Sequence, residues 1–556
     1  MDGQSVTAGQ APLPSGGAAM LRAVMLGNRA PEKSTEEVIE LLGPALLSYL
    51  TSRPESDVAA HLSGESLLPA ESAAALVRAV EEASMAIDLR RESASNDSRP
   101  PGPRESIFEA LGALFVSPTA GVGFGEALRA FSGGGAPNIT DPDGGLEELV
   151  LEHARNCLPG LLVPLPKEDV DRPWILLMGL SRIASWYGRG AEGRMLTALA
   201  AARSLRRFFP DLSGIHASSR RFLDSTGRGG GLQIVFLPGL VVQTAARRAG
   251  WPAPIEPDIY LAQIPVVLEE MRRAVAGEIV EIPAWVILNG LEVPDDFRLE
   301  TRLGQLQSSA AWVSVVRRDP VRGQLMLRLT YPLSIERISE RRFRLPERTI
   351  EAQREFRRRI DHLRLAVLLA LRRPEPIALQ VVSQEISNPF AHGPSESSPF
   401  FTHPFSSKIE PGDATLIASW SDKVFRYSDP SIELGGRRAL SAATPGRDIE
   451  DRLVDAVVAL ENLIGNGSGS KPTKAFEHLV PALVADAQIR REPARRKAVA
   501  IYRARSDIVH GRRELPLMEL EALRRDSLAL AIRALRRLFT RFHDLTSDRR
   551  RGRRLT

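Results

Sequence analysis

The stretch RKAVAIYRARSDIVHGRR, residues 496–513, puts an arginine, a serine and a histidine where they could act on a phosphate. Arg505, Ser506 and His510 follow an R-x4-H spacing. A guanidinium is a permanent cation whose forked donors match phosphoryl oxygens, and an imidazole exchanges its proton near neutral pH. Pro493 suits the first turn of a helix and Gly511 suits the left-handed residue beyond its end. His510 then falls in the last turn, where the negative end of the helix dipole favours its protonated form. Nine cations lie between Arg490 and Arg513: those two, Arg491, Arg495, Arg496, Lys497, Arg503, Arg505 and Arg512. Only Glu492 and Asp507 oppose them, a local excess of seven that suits a polyanionic partner.

At about 100° per residue, Ala498, Ile501, Tyr502, Ile508 and Val509 all fall within roughly 60° of Arg505, so this cation points along an apolar face. An earlier helix, DIEDRLVDAVVALENLIG, is expected from about Asp448 to Ile464, stopping at Gly465. Its stripe of Val454, Val457, Val458 and Ile464 contains Glu461, an anion on an apolar face. Pairing of Glu461 with Arg505 between two packed helices is one explanation, since either charge buried alone would cost several kcal/mol. A binding or catalytic site shared with a neighbouring helix or subunit is the other.

LVDAVVALENLIG followed by IYRARSDIVHG resembles the Apea-like branch of the HEPN domains over about the last 110 residues. Tyr502 through RSDIVHG carries the local form, and ALEN falls where that branch has an ALE signature. The resemblance implies an antiparallel four-helix bundle that dimerises and brings two R-x4-H motifs together. It also implies a metal-independent endoribonuclease without cofactors, in a toxin or phage-defence role. His510 would be its general acid/base, Arg505 the stabiliser of phosphoryl charge and Ser506 an orienting donor. Glu461, Tyr502 and Asp507 would support them, while Arg495, Arg496, Lys497, Arg503, Arg512 and Arg513 would bind RNA. Non-catalytic HEPN modules that bind RNA or act as scaffolds are the alternative. The middle helix of such a bundle, KPTKAFEHLVPALVAD, contains Pro481, which is expected to kink or split it.

The elements that position this motif belong to a chain of 556 residues, long enough for several domains. Apolar content is 43% and charged content 25%, ordinary for a soluble globular protein, and 73 basic against 68 acidic residues leave only +5 overall. Nucleic-acid affinity therefore rests on where charge lies. The single cysteine, Cys157, excludes an intramolecular disulfide and suits a reducing compartment. No secretion signal or membrane-spanning run is legible, which points to the cytoplasm without membrane association. The nine histidines form no metal-ligand spacing, and GxSxG and kinase motifs are missing. GRGGG, residues 227–231, lacks the Lys-Ser/Thr of a phosphate loop and is expected to be a flexible linker.

The expected fold class is multidomain α+β: a helical N-terminal region, a mixed α/β middle domain and a C-terminal four-helix HEPN bundle. Residues 1–18 are expected to be disordered. Residues 19–225 read as mostly helical, with segments at STEEVIELLGPALLSYL, ESIFEALGALF, GLEELVLEHARNCL, WILLMGLSRIASWY and EGRMLTALAAARSLRRFF. Residues 226–385 read as the mixed domain and a possible sensor of an unknown trigger. Their β-favouring runs are LQIVFLPGLVV, GEIVEIPAWVIL, AAWVSVVRR, QLMLRLTYP and PIALQVVSQ, with DPVRG as a hairpin loop. Residues 386–430 read as a Pro/Ser-rich connection containing His392 and His403, 431–546 as the HEPN-like domain and 547–556 as a basic tail.

Overall fold

The computed structural model describes residues 34–94, 145–162, 198–199, 202, 205, 208–209, 219–251, 255–309, 324–338, 347–391, 407–426, 429–465, 472–486, 490–512, 514–541, 543–546 and 551–555. The chain is a mixed α+β protein. Helices α1 (Ser34–Thr51), α2 (Glu55–Ser63), α3 (Ala70–Ala94) and α4 (Leu146–Leu162) form the N-terminal part, where α1 packs on α2, α3 and α4. Gly43 (φ 73°) breaks α1 ahead of Pro44. The expected helices at 105–115 and 174–187 lie outside the described residues, as does most of that at 192–209.

The β region begins earlier than the sequence suggests, inside the stretch read as helical. Strand β1 (Ser219–Asp224) pairs antiparallel with β2 (Gly229–Gln233). GRGGG is thus no linker. Gly227 (φ 85°) supplies the turn, and Asp224 accepts from the backbone N–H of Thr226 at 2.8 Å and of Arg228 at 3.2 Å. The next correction concerns LQIVFLPGLVV, whose second half is helix α5 (Leu237–Arg248) with Pro238 in its first turn. Proline is tolerated there because its missing N–H would have had no helical partner. α6 (Pro257–Val275) packs on α4 and α5.

The main sheet has the order β4 (Arg298–Thr301), β5 (Gly304–Ser308), β6 (Gln324–Leu333), β3 (Val280–Glu292) and β8 (Gln380–Ile386). Alternation sets its register: Ala284, Val286 and Leu288 of β3 face Leu329, Leu327 and Leu325 of β6, all buried. The short β7 (Ile335–Arg337) joins β1. AAWVSVVRR and DPVRG fall outside the described residues.

Two parts of the expected surface connection are ordered into the fold. Residues 387–391 are buried, with Asn388 Nδ2 donating to Asp224 Oδ2 at 2.6 Å and Arg248 Nε to Ser387 Oγ at 2.8 Å. β9 (Ser407–Lys408) then joins β3 in parallel, and α8 (Asp413–Arg426) packs along α7 (Glu347–Ala370). His392 and His403 lie outside the described residues.

The C-terminal part comprises α9 (Pro430–Ala443), α10 (Ile449–Ile464), α11 (Pro472–Val484), α12 (Arg491–Val509), α13 (Leu517–Thr540) and the short α14 (Arg551–Leu555). α10, α11, α12 and α13 all touch one another, and α9 lies on α10 and α13. Asp448 caps α10 by accepting from the N–H of Glu450 at 2.8 Å, and Gly465 (φ 70°) ends it. Adjacent glycines let α9 press between two helices: a Cβ at Gly435 would meet Leu463 at 2.8 Å, and one at Gly436 would meet Leu365 of α7 at 2.7 Å. Pro481 does not split α11, which continues three residues beyond it to Val484. One missing N–H is outweighed there by the burial of Phe476, Leu479, Val480, Leu483 and Val484.

The basic tail is also not simply solvated. Arg551 is wholly buried, its guanidinium donating to Asp429 Oδ1 (3.0 Å), Ser431 Oγ (2.8 Å) and the carbonyls of Leu545 (3.0 Å) and Asn462 (3.2 Å). Burial works against ionisation of Asp429, but Ser431 and Arg551 outweigh it and hold the carboxyl below its ordinary range. Among the described residues, no helix is long and apolar enough to cross a membrane.

Candidate functional site

The R-x4-H motif occupies the C-terminal end of α12. His510 is the capping residue (φ −97°, ψ 2°) and Gly511 takes the left-handed conformation (φ 60°). The carbonyls of Ser506, Ile508 and Asp507 accept from the N–H groups of His510 (3.1 Å), Gly511 (3.1 Å) and Arg512 (2.9 Å). The last two bonds form the Schellman arrangement, which satisfies carbonyls that a helix end otherwise leaves open. The backbone that presents His510 is therefore fixed, while its imidazole is exposed to solvent.

α12 enters the bundle through small residues. Ala494, Ala498, Ile501 and Ala504 are buried, which lets its backbone approach α11, and Tyr502 packs on Phe476 with ring centroids 4.9 Å apart. Arg505 follows on the edge of this face. It is half-buried, and its Nε is shut off from solvent with no hydrogen-bond partner. Such an atom costs about 1–3 kcal/mol relative to a satisfied one. Ser506 and Asp507 are also half-buried, whereas Arg503 and Arg512 are exposed and Arg513 lies outside the described residues.

Glu461 faces this helix from α10. Burial pushes its carboxyl above the ordinary range, opposed by the charge of Arg505 and by interaction with the Tyr502 hydroxyl. Among the described residues the expected ion pair is not formed: Arg505 acts on Glu461 through its field alone. The structure gathers Glu461, Tyr502 and Arg505 at the α10–α12 contact. No hydrogen bond joins Arg505 to His510, which projects from the helix end. Within eight residues of His510 in the chain, three apolar side chains are exposed: Val509 (50%), Leu517 (69%) and Met518 (83%).

The expected RNA-binding cations among the described residues divide into two groups. Arg495, Arg496, Arg503 and Arg512 are exposed on α12 and just beyond it, Arg495 with Glu492 at 3.7 Å. Lys497 is instead engaged with Asp526 of α13, Nζ to Oδ1 2.7 Å, on the other flank of the helix.

Two polar clusters were not singled out from the sequence. Asp455 of α10 is buried and accepts from Arg438 (2.6 Å), Arg447 (2.5 Å) and Ser441 (2.6 Å). Burial opposes its charge, but these three donors prevail and hold the carboxyl below its ordinary range. The signal was an aspartate within the valine stripe of LVDAVVAL. The second is the arginine ladder of α13, Arg533, Arg536, Arg537 and Arg541, legible as R-x2-R-R-x3-R spacing on one helix flank.

Compared with family models, curated proteins and solved structures, the chain finds no match in any of the three.

Proposed function

We propose that this protein is a HEPN-type endoribonuclease whose site is completed by a second copy of the chain. The observation that supports this most directly is the end of α12. It carries a fixed, solvent-facing His510 and, five residues earlier, a half-buried Arg505 whose Nε lacks a partner. The exposed Val509, Leu517 and Met518 supply an apolar rim for another copy, and Arg503 and Arg512 supply positive charge for RNA.

In the proposed reaction the RNA 2′-oxygen attacks the adjacent phosphorus, the bond to the 5′-oxygen breaks, and a 2′,3′-cyclic phosphate and a 5′-hydroxyl result. His510 moves the proton, as base toward the 2′-hydroxyl or as acid toward the departing 5′-oxygen. Arg505 donates to the phosphoryl oxygens as negative charge builds on them. Ser506 orients the phosphate, and Glu461 and Tyr502 hold the position of Arg505. A metal-independent mechanism and a toxin or defence role follow from the HEPN resemblance, with the N-terminal and middle regions as trigger sensor.

A second reading, an RNA-binding or scaffold module without catalysis, is favoured by one observation: Arg505 and His510 do not meet within one chain. Cleavage of total RNA and tRNA by the purified protein in EDTA tests the proposal. Cyclic-phosphate ends produced by the wild type and abolished in Arg505→Ala and His510→Ala support it. RNA binding without cutting, in protein expressed at toxic levels, sinks it in favour of the second reading.

A further inference from the structure

The largest groove among the described cavities, about 1240 Å³, runs between the turn after α7 (residues 371–376), the start of α12 and the outer face of α13. Eight cations and two carboxylates line it. Three of the cations are neutralised: Arg373 by Glu410 (3.0 Å) and Asp413 (2.6 Å), Lys497 by Asp526 (2.7 Å), and Arg533 by Asp486. Arg372, Arg490 and Arg541 are exposed and make no ion pair among the described residues.

Arg536 also lines the groove, its guanidinium held by the carbonyls of Leu369 (2.8 Å) and Leu371 (3.0 Å). Burial, then the like charges of Arg372 and Arg533, push it down to about 10. The neighbouring Arg537 is lowered in the same way, by burial and then by Arg541. Like charges three and four residues apart on one helix destabilise it, and here they are further crowded by Arg372 from another element. An arrangement that opposes its own fold in this manner is relieved by a bound anion.

The groove is not an extension of the R-x4-H site. Pro493, Ala494 and Lys497 line it, so it uses the first turns of α12, about 12–18 Å along the axis from Arg505 at 1.5 Å per residue. At about 100° per residue Lys497 also lies about 140° around the axis from both Tyr502 and His510. Its cations come from three elements around a single groove, an arrangement that suits concentrated charge better than a strand's evenly spaced phosphates.

We propose that this groove binds a compact ligand carrying several adjacent phosphates, which bridges the middle α/β region to the helical bundle. The inference is independent of the nuclease reading: Lys497 is the one expected RNA-binding cation that lines the groove, and Glu461, Tyr502, Arg503, Arg505, Ser506, His510 and Arg512 do not.

Inorganic tripolyphosphate, titrated calorimetrically into the full chain at low and moderate salt, provides the test. The expected result is saturable binding that weakens with salt, accompanied by a rise in melting temperature. Arg372 and Arg541 are exposed and outside the buried pairs, so the double variant R372E/R541E should fold normally by circular dichroism. Its affinity should drop at least about tenfold, the equivalent of one charge-assisted hydrogen bond. Failure of the wild type to bind, or equal binding by the variant, overturns the proposal. So does binding of single-stranded RNA, but not tripolyphosphate, that depends on Arg372 and Arg541, because the groove would then belong to a nucleic-acid strand.

Discussion

Arg505 and His510 lie at one end of one helix yet face different surroundings: the arginine is half-buried beside Glu461, and the histidine stands in solvent. Five residues of α-helix separate their side chains by about 140° around the axis. A single chain thus carries a guanidinium and an imidazole that do not converge, which is why the proposed nuclease site is completed by a second copy.

Loss of either group should remove cleavage while leaving the fold intact. His510 is exposed and bonds to the rest of the protein only through its backbone N–H, so His510→Ala should leave the melting temperature unchanged. RNA cleavage should fall by about 10²–10⁴, the usual contribution of a positioned acid/base. Initial rates on labelled RNA, compared at equal protein concentration, give the answer; a rate loss below fivefold, on the order of 1 kcal/mol, would remove His510 from the chemistry.

The apolar rim should govern self-association. Leu517 and Met518 begin α13 and are almost free of the core, so L517E/M518E should fold with little loss of stability. Sedimentation is expected to show a wild-type dimer and a monomeric variant, with RNA cleavage lost in parallel. Wild type that stays monomeric at tens of micromolar, yet still cuts RNA, would dissociate the rim from function.

Arg551→Ala should be among the more damaging single changes in the C-terminal part. It leaves Asp429 buried without its cation and removes the donor to Ser431 Oγ and to the carbonyls of Leu545 and Asn462. Removing one partner of a buried pair costs about 3–5 kcal/mol. Urea unfolding should show that loss, whereas Arg553→Ala and Arg554→Ala, at exposed positions, should stay within about 0.5 kcal/mol of wild type.

Acid should attack the bundle through Asp455. Its folded-state pKa is depressed, so its stabilising contribution is complete above the unfolded value of about 3.9 and disappears as pH falls through the folded one. Asp455→Asn should therefore lose stability at pH 7 and show a shallower decline between pH 5 and pH 2. Thermal melts of both proteins across that range test the sign: a parallel decline would mean that other carboxylates dominate.

Much of the architecture could be read from the chain, and the failures share a cause. Asp448, Gly465 and Gly511 announce helix ends through local backbone chemistry, and the structure uses all three. RRFLD and GRGGG hide a hairpin because neither has β-favouring composition; Asp224 and a partner strand, not propensity, make the pair. LPGLVV reads as strand from its valines, but Pro238 in the first turn and packing on α6 make it helical. Long-range contacts were out of reach altogether. Nothing in RRRGRRLT marks Arg551 as the one that will be buried against Asp429, 122 residues earlier. At the candidate site the residues could be named, but the neighbour of Glu461 could not: the wheel suggested Arg505, and Tyr502 shares that place.

The adjacent glycines of α9 bear on modularity. Gly436 admits Leu365 of α7, a helix that also packs on β6 of the sheet, and Arg536 of α13 clasps the carbonyls at the end of the same α7. The bundle and the sheet thus share one helix as a common wall. A segment cut at residue 431 would leave that wall behind, so the piece able to move intact between proteins, by recombination or by design, begins no later than α7.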